Sequence, residues 1–261
     1  MNKKFILLLL IFFLSIYSCV YATGNDAYTV SLLHCNGADQ STTFTDDAAG
    51  GTHTWTAAGN AQLDTAQKKF GTASLLLDGT GDYIKSDDSA DWYFGQGNFT
   101  IDFQVRFNVN SGHRVFVSQY LASENYWMIQ AVDQGGGNYK IYFLFVTGSV
   151  TVAYYNTTNN WAVSTGVWYH LALVRSGPLG YLFIDGVSQA LTVTTAFGTR
   201  DVGDVATELH WGVMSTDSYF FNGWLDECRI SKGIARWTTD FTPPTEEYNG
   251  AVGQVIIISS D

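Results

Sequence analysis

The fold is decided by a nine-residue stretch in the middle of the chain, Phe99-Thr100-Ile101-Asp102-Phe103-Gln104-Val105-Arg106-Phe107. Apolar residues occupy every second position of this stretch. Such alternation predicts a β-strand with one buried face and one face in water, because successive side chains of a strand point to opposite sides. We therefore expect a half-buried strand over residues 99–107.

Other segments on both sides of this strand also read as strands. Trp168–Arg175 and Tyr181–Ile184 are dense apolar runs, rich in aromatic and β-branched residues, and they predict strands that are covered on both faces. Asp185-Gly186 predicts a hairpin turn. About a dozen short strands separated by Gly, Asn and Asp turns are typical of an all-β fold with two stacked, curved sheets.

Composition excludes several classes of protein. Of the 261 residues, 46% are hydrophobic and 14% are charged, which is too apolar for intrinsic disorder. The formal net charge is −11, with 13 Lys and Arg against 24 Asp and Glu. Since nucleic-acid affinity comes largely from cations that neutralise phosphates, no nucleic-acid partner is expected.

The first 22 residues have the layout of a secretory signal peptide. Lys3 and Lys4 precede the apolar run Phe5–Leu14, and Ala22 supplies a small residue at the cleavage position. The apolar run is about ten residues long, short of the roughly 20 that cross a bilayer, and no other segment is apolar enough to span a membrane. The sequence thus predicts secretion, with a lipid anchor at Cys19 as the alternative.

The remaining chain reads as one domain over residues 28–248 and a tail over 249–261. Pro243 and Pro244 mark the end of the domain, because proline cannot donate to a sheet ladder. In the tail, Val255–Ile258 is an isolated strand former. We expect it to fold back as an edge strand, and self-association by pairing with another copy is the alternative.

Two cysteines lie in the domain, Cys35 near its start and Cys228 near its end. A disulfide between them would persist in an oxidising compartment. Two buried free thiols, which behave as small hydrophobic groups, are the alternative.

An ordered series of motifs runs through nearly the whole domain. It consists of Leu32–Asp39, Phe70–Gly79, Gly81–Ile84, Gly97–Phe103, Trp168–Arg175, Phe183–Gly186 and Phe221–Ser231. The series resembles the laminin-G-like domains of the concanavalin A-like lectin/glucanase superfamily. This resemblance implies an antiparallel jelly-roll β-sandwich whose first and last strands are neighbours, which would bring Cys35 close to Cys228.

Because this superfamily includes glucanases, catalysis has to be considered. Retaining glycoside hydrolysis needs two carboxylates about 5 Å apart, and the glucanase branch carries them on a Glu-x-Asp-x-x-Glu strand. No glutamate of this chain begins that pattern, and the consecutive Asp226 and Glu227 would point to opposite faces of a strand. No zinc-hydrolase spacing or nucleophile elbow occurs either. We expect a protein that is not an enzyme, with a glycoside hydrolase as the weaker alternative.

Oxygen-rich turns suggest a structural Ca²⁺ ion. The candidate ligands are Asp78 and Asp82, which flank a glycine-rich turn, and Asp226, which follows the turn at Asn222-Gly223. Ca²⁺ takes six to eight oxygen ligands, loop carbonyls among them, and many domains of the resembling family hold one calcium ion near their loops. The alternative is that these aspartates only cap turns.

The aromatic surplus suggests a carbohydrate ligand. Trp92, Tyr126, Trp161 and Tyr219 lie beside predicted turns, where a jelly roll would present them at its rim, although aromatic residues also fill cores. We expect a secreted, non-catalytic module that binds carbohydrate or a cell-surface or matrix ligand through rim loops. A structural or assembly protein of an extracellular coat or filament is the alternative.

Overall fold

The computed structural model describes residues 24–214 and 218–249. The predicted signal peptide, Cys19 and Val255–Ile258 lie outside these residues. Within them, the structure contains one short 3-10 helix, Ala90–Trp92, and no helix of the length and hydrophobicity that crossing a membrane requires. The strands are β1 (Thr29–Leu33), β2 (Thr43–Phe44), β3 (Trp55–Ala58), β4 (Gln62–Asp64), β5 (Ser74–Asp78), β6 (Tyr83–Ser86), β7 (Phe99–Phe107), β8 (Arg114–Ala122), β9 (Asn125–Gly135), β10 (Asn138–Thr147), β11 (Val150–Thr157), β12 (Trp161–Ala162), β13 (Trp168–Ser176), β14 (Leu179–Ile184), β15 (Val187–Ser188), β16 (Leu191–Thr195), β17 (Leu209–Trp211) and β18 (Asn222–Lys232).

These strands form two antiparallel sheets packed face to face. The eight-stranded sheet has the order β15-β14-β13-β7-β18-β5-β4, with β1 also paired to β18. The ten-stranded sheet has the order β16-β11-β10-β9-β8-β17-β6-β3-β2, with β12 paired to β10. The predicted antiparallel jelly-roll sandwich is confirmed, and so is the pairing of its first and last strands, in which Leu33 lies opposite Cys228.

The core lies between the sheets and is largely aromatic. Phe103 of β7 packs against Phe116 and Trp211 of the other sheet, with ring centroids 5.2 and 5.4 Å apart. The inward residues of each strand alternate with outward ones, so the period-two pattern of the sequence becomes the inner surface of each sheet.

The expectation that β7 is half-buried is wrong, because its polar face is covered as well. Thr100, Asp102 and Gln104 are all buried. The chain that follows β18, residues 234–248, crosses the outward face of the eight-stranded sheet, and we call it the C-terminal strap. Its Trp237 and Phe241 are part of an apolar cluster with residues of β13 and β14. The outward face of the ten-stranded sheet, which we call the open face, has no such covering strap among the described residues.

Candidate functional site

The four aromatic residues predicted to bind a ligand do not form one site. Trp92 is only 1% exposed and packs at a tilt of 42° against His53, with ring centroids 4.4 Å apart. Since neither face of its ring is available, the prediction for Trp92 is wrong. Trp161 is half-buried and packs edge-on against Phe107 of the core.

The two remaining aromatic residues, Tyr126 and Tyr219, lie far apart. Tyr219 is exposed and lies near His113, whose ring nitrogen accepts the backbone N–H of Asp133. Tyr126 lies near the other end of β9, seven residues from Asp133. At about 3.3 Å per residue this corresponds to roughly 23 Å. If Tyr126 binds a ligand, the other residues of that site therefore differ from the predicted ones.

The three predicted calcium ligands do not converge either. The carboxylate of Asp82 is buried and accepts the backbone N–H groups of Asn60 at 2.5 Å and of Asp78 at 2.9 Å, so it caps a turn. Asp226 accepts the N–H groups of Lys69 and Phe70 instead. Asp78 pairs with Asn222, which is four residues, or about 13 Å of strand, from Asp226. Asp78 and Asp82 are therefore neighbours, whereas Asp226 lies apart from them, and calcium binding stays a prediction.

The two cysteines lie together in the core. Both are buried free thiols in this structure, and the Cys228 thiol is within hydrogen-bonding reach of Cys35. Burial raises the pKa of Cys228 well above its ordinary value. The two thiols are therefore close together, as a disulfide requires. The disulfide itself stays a prediction.

The open face presents a group of tyrosines that the sequence did not single out as a group. On β9 and β10 the inward residues belong to the core, so the alternate residues between 126 and 146 point outward. The outward set includes Tyr126 on β9 and Tyr142 on β10. By register, Tyr120 of β8 lies opposite Tyr126, and Tyr154 of β11 lies opposite Leu144.

These four residues form two ring pairs, Tyr120 with Tyr126 and Tyr142 with Tyr154, and we call the four together the tyrosine path. The rings of Tyr120 and Tyr126 are 5.2 Å apart, and those of Tyr142 and Tyr154 are 5.9 Å apart. Tyr126 lies close enough to Tyr154 for the two hydroxyls to interact electrostatically. The path crosses four adjacent strands, which is about 14 Å at the usual strand spacing. That length exceeds one pyranose ring.

The chemistry of the path combines apolar ring faces with polar groups. All four tyrosines are half-buried. Burial, followed by the neighbouring Tyr120, raises the pKa of Tyr126, and burial with Tyr154 raises the pKa of Tyr142. The hydroxyls of Tyr126 and Tyr142 are therefore protonated hydrogen-bond donors at neutral pH. The side chains of Gln130 and Lys140 lie on the same face and add amide and ammonium donors.

The outward residues of β9 and β10 between 126 and 146 include no carboxylate. Over residues 126–132 and 140–146 they are Tyr126, Met128, Gln130, Val132, Lys140, Tyr142, Leu144 and Val146, and the remaining alternate positions of the two strands are Gln134 and Asn138. A facing pair of acids, which glycoside hydrolysis requires, is absent from this part of the open face. The arrangement is suited to binding a ligand by stacking and hydrogen bonds.

Comparison with known proteins gives the same fold. A family model described as concanavalin A-like lectin/glucanases superfamily, of the laminin-G type, matches residues 78–236. No curated protein matches the chain.

Several solved structures share the architecture at low sequence identity. Domain 4 of AbnA, a GH43 extracellular arabinanase from Geobacillus stearothermophilus solved in complex with arabinotriose, is 20% identical with a TM-score of 0.55, over 79% of this chain and 93% of that one. The binding domain of Paraclostridial Mosquitocidal Protein 1 is 15% identical with a TM-score of 0.56, over 80% and 50% of the two chains. Botulinum neurotoxin type C, described as dependent on two ganglioside molecules for cell entry, is 11% identical with a TM-score of 0.55, over 80% and 49%. This chain thus spans about half the length of the two toxin chains.

Proposed function

Because the chain belongs to the laminin-G type of the concanavalin A-like lectin/glucanases superfamily, we propose that it is a non-catalytic module that binds an oligosaccharide along the tyrosine path. The observation that supports this proposal best is the presence of two pairs of half-buried tyrosine rings on four adjacent strands of the open face. Sugars present apolar ring faces that stack on aromatic side chains, and hydroxyls that exchange hydrogen bonds with groups such as Gln130 and Lys140.

The likeness to known binding domains supports a carbohydrate ligand. One of these domains was solved with arabinotriose, and one toxin interacts with gangliosides. The proposal also places the protein outside the cell, and this part depends on the signal-peptide pattern of residues 1–22.

The test is a glycan array that includes arabino-oligosaccharides and ganglioside headgroups, followed by calorimetric titration of the tightest glycan. We expect Tyr142→Ala and Tyr154→Ala each to weaken binding about tenfold, which equals about 1.4 kcal/mol and lies within the range for one aromatic contact. Tyr142→Phe separates stacking from hydrogen bonding, because it keeps the ring and removes the hydroxyl.

Tyr219→Ala is the matched control, since Tyr219 is an exposed tyrosine at a loop away from the path. A loss of affinity in Tyr219→Ala alone would place the ligand at the rim. Silence of the wild-type protein on every glycan would contradict carbohydrate binding altogether.

A further inference from the structure

Three chain segments that are distant in sequence meet at one end of β1 and bring together an imidazole and two carboxylates. His34 directly follows β1, Glu227 lies within β18, and Glu247 lies near the end of the C-terminal strap. One ligand atom from each of the three lies within 4.8 Å of the others. We call these three residues the His-Glu-Glu cluster. It is separate from the tyrosine path, which lies on the other sheet.

Glu227 is the fixed member of the cluster. It is 1% exposed and lies in a bulge of β18, where its φ is +50°. Bulges re-aim a side chain that would otherwise alternate along the strand. One carboxylate oxygen of Glu227 is 2.7 Å from His34 Nδ1, and the other accepts the backbone N–H of Tyr248 at 2.9 Å.

The surroundings of the cluster have an excess of negative charge. Glu227, Asp47 and Glu247 all act electrostatically on His34, and the buried Asp226 precedes Glu227 in the chain. The guanidinium of Arg229, two residues further along, forms its ion pair with Asp102. Several acids therefore surround one imidazole, and a bound divalent cation would offset their repulsion.

The donor set selects the class of cation. One imidazole nitrogen and two carboxylates suit Zn²⁺, whereas Ca²⁺ and Mg²⁺ prefer sites made of oxygen alone. The cluster supplies three ligands, so a water molecule would be the fourth ligand of a tetrahedral ion. With tetrahedral Zn–N and Zn–O bonds of about 2.0–2.2 Å, His34 Nδ1 and the Glu227 oxygen, now 2.7 Å apart, would have to separate by roughly 0.7 Å. We assign this movement to His34, whose side chain is 14% exposed, compared with 1% for Glu227.

We propose that His34, Glu227 and Glu247 bind a structural Zn²⁺ ion that ties β1, the bulge of β18 and the C-terminal strap together. Binding would displace the proton from His34 Nδ1 and require no change in the core. The ion would hold the two ends of the domain against each other.

The test is addition of ZnCl₂ to the EDTA-treated full chain, with calorimetry for stoichiometry and thermal unfolding for stability. We expect one Zn²⁺ per chain and a rise in Tm of about 5–10 °C at a hundredfold excess over Kd. His34→Gln and Glu247→Gln should abolish both effects. His53→Gln is the matched control, because His53 has the same side-chain exposure of 14% and also contacts a carboxylate, that of Asp91; it should behave like the wild type.

Three outcomes would overturn the proposal. The wild type could bind no Zn²⁺, the Glu247→Gln and His34→Gln variants could bind Zn²⁺ as tightly as the wild type, or Tm could rise with Ca²⁺ alone. Glu247 is only half-buried and lies outside the strands, so its substitution keeps the test valid even if the His34 variant fails to fold.

Discussion

The buried ion pair under the C-terminal strap gives the sharpest prediction of stability. Asp102 and Arg229 are both fully buried and lie opposite each other on β7 and β18. Arg229 donates from Nε at 2.9 Å and from Nη2 at 3.1 Å to the two carboxylate oxygens. The hydroxyl of Tyr248 donates to the same carboxylate at 2.5 Å, and its ring lies 3.5 Å from the guanidinium. One carboxylate therefore connects two strands and the strap.

The perturbation is Asp102→Asn, which keeps the shape and removes the charge. Removing one partner of a buried pair leaves the other charge uncompensated and costs about 3–5 kcal/mol. In a domain of this size, each kcal/mol corresponds to a shift in Tm of about 2–4 °C. We therefore expect Tm to fall by roughly 6–20 °C, measured by calorimetry and checked by urea unfolding.

The same substitution should change the pH dependence of unfolding. Burial acts to raise the pKa of Asp102, but Arg229 and then His170 outweigh it, so the pKa lies well below the ordinary 3.8. A carboxyl whose folded pKa is depressed contributes stability above its unfolded pKa, and this contribution is lost as the pH falls below about 4. The Asp102→Asn variant has no such carboxyl to protonate. Its free energy of unfolding should therefore fall less steeply below about pH 4 than that of the wild type, which gives a flatter acid limb.

The control is Glu208→Gln, which breaks the exposed pair with Lys85 and should cost less than about 1 kcal/mol. If Asp102→Asn is as stable as the Glu208→Gln control and its acid limb parallels that of the wild type, the buried pair does not stabilise the fold as argued.

Two further predictions concern the core and a turn. Protein secreted into an oxidising compartment should contain a Cys35–Cys228 disulfide, and a thiol assay after denaturation should then find no free thiol. Closing a loop of about 190 residues contributes about 5 kcal/mol, so adding a reductant should lower the urea concentration at the midpoint of unfolding. Two free thiols in the denatured protein would refute the disulfide. Gly186→Ala should destabilise by well over 1 kcal/mol, because φ is +75° and an added Cβ would lie 1.9 Å from the carbonyl oxygen of Phe241. Gly148→Ala, with φ +55° and nothing within 4 Å, should show only the smaller backbone cost, and equal losses in the two unfolding curves would contradict the clash.

The sequence predicts the strands well where local alternation determines them, and less well where distant residues intervene. The period-two pattern of residues 99–107 correctly predicts β7 and its inward face. It does not predict that Asp102 is buried, because the residues that cover and pair with it, Arg229 and Tyr248, are more than 120 positions away. A pattern within one strand indicates which residues share a face, and the cover over that face depends on the rest of the chain.

The residues of the candidate site are also only partly predictable from the sequence, because strand pairing brings distant residues together. Tyr126 lies on the open face, but the sequence does not group it with Tyr142 and Tyr154, because these residues lie on three strands whose pairing no local pattern shows. The alternation in residues 140–146 is the signal that was available, since it separates Tyr142 and Leu144 from the inward Phe143. Trp92 was assigned wrongly because the short 3-10 helix Ala90–Trp92 turns its ring inward.

The proposed glycan site and the proposed Zn²⁺ site lie on different sheets of the sandwich, and this separation makes the two proposals independent of each other. The Asp102–Arg229 pair and the His-Glu-Glu cluster lie where the strap meets the eight-stranded sheet, whereas the tyrosine path lies on the ten-stranded sheet. Packed sheets are about 10 Å apart, and contacts that distant usually contribute additively. Loss of Zn²⁺ or of the Asp102 charge should therefore lower the free energy of unfolding without changing the glycan affinity of the folded protein. Substitution of Tyr142 should do the reverse, because a half-buried ring on the open face contributes little to the core.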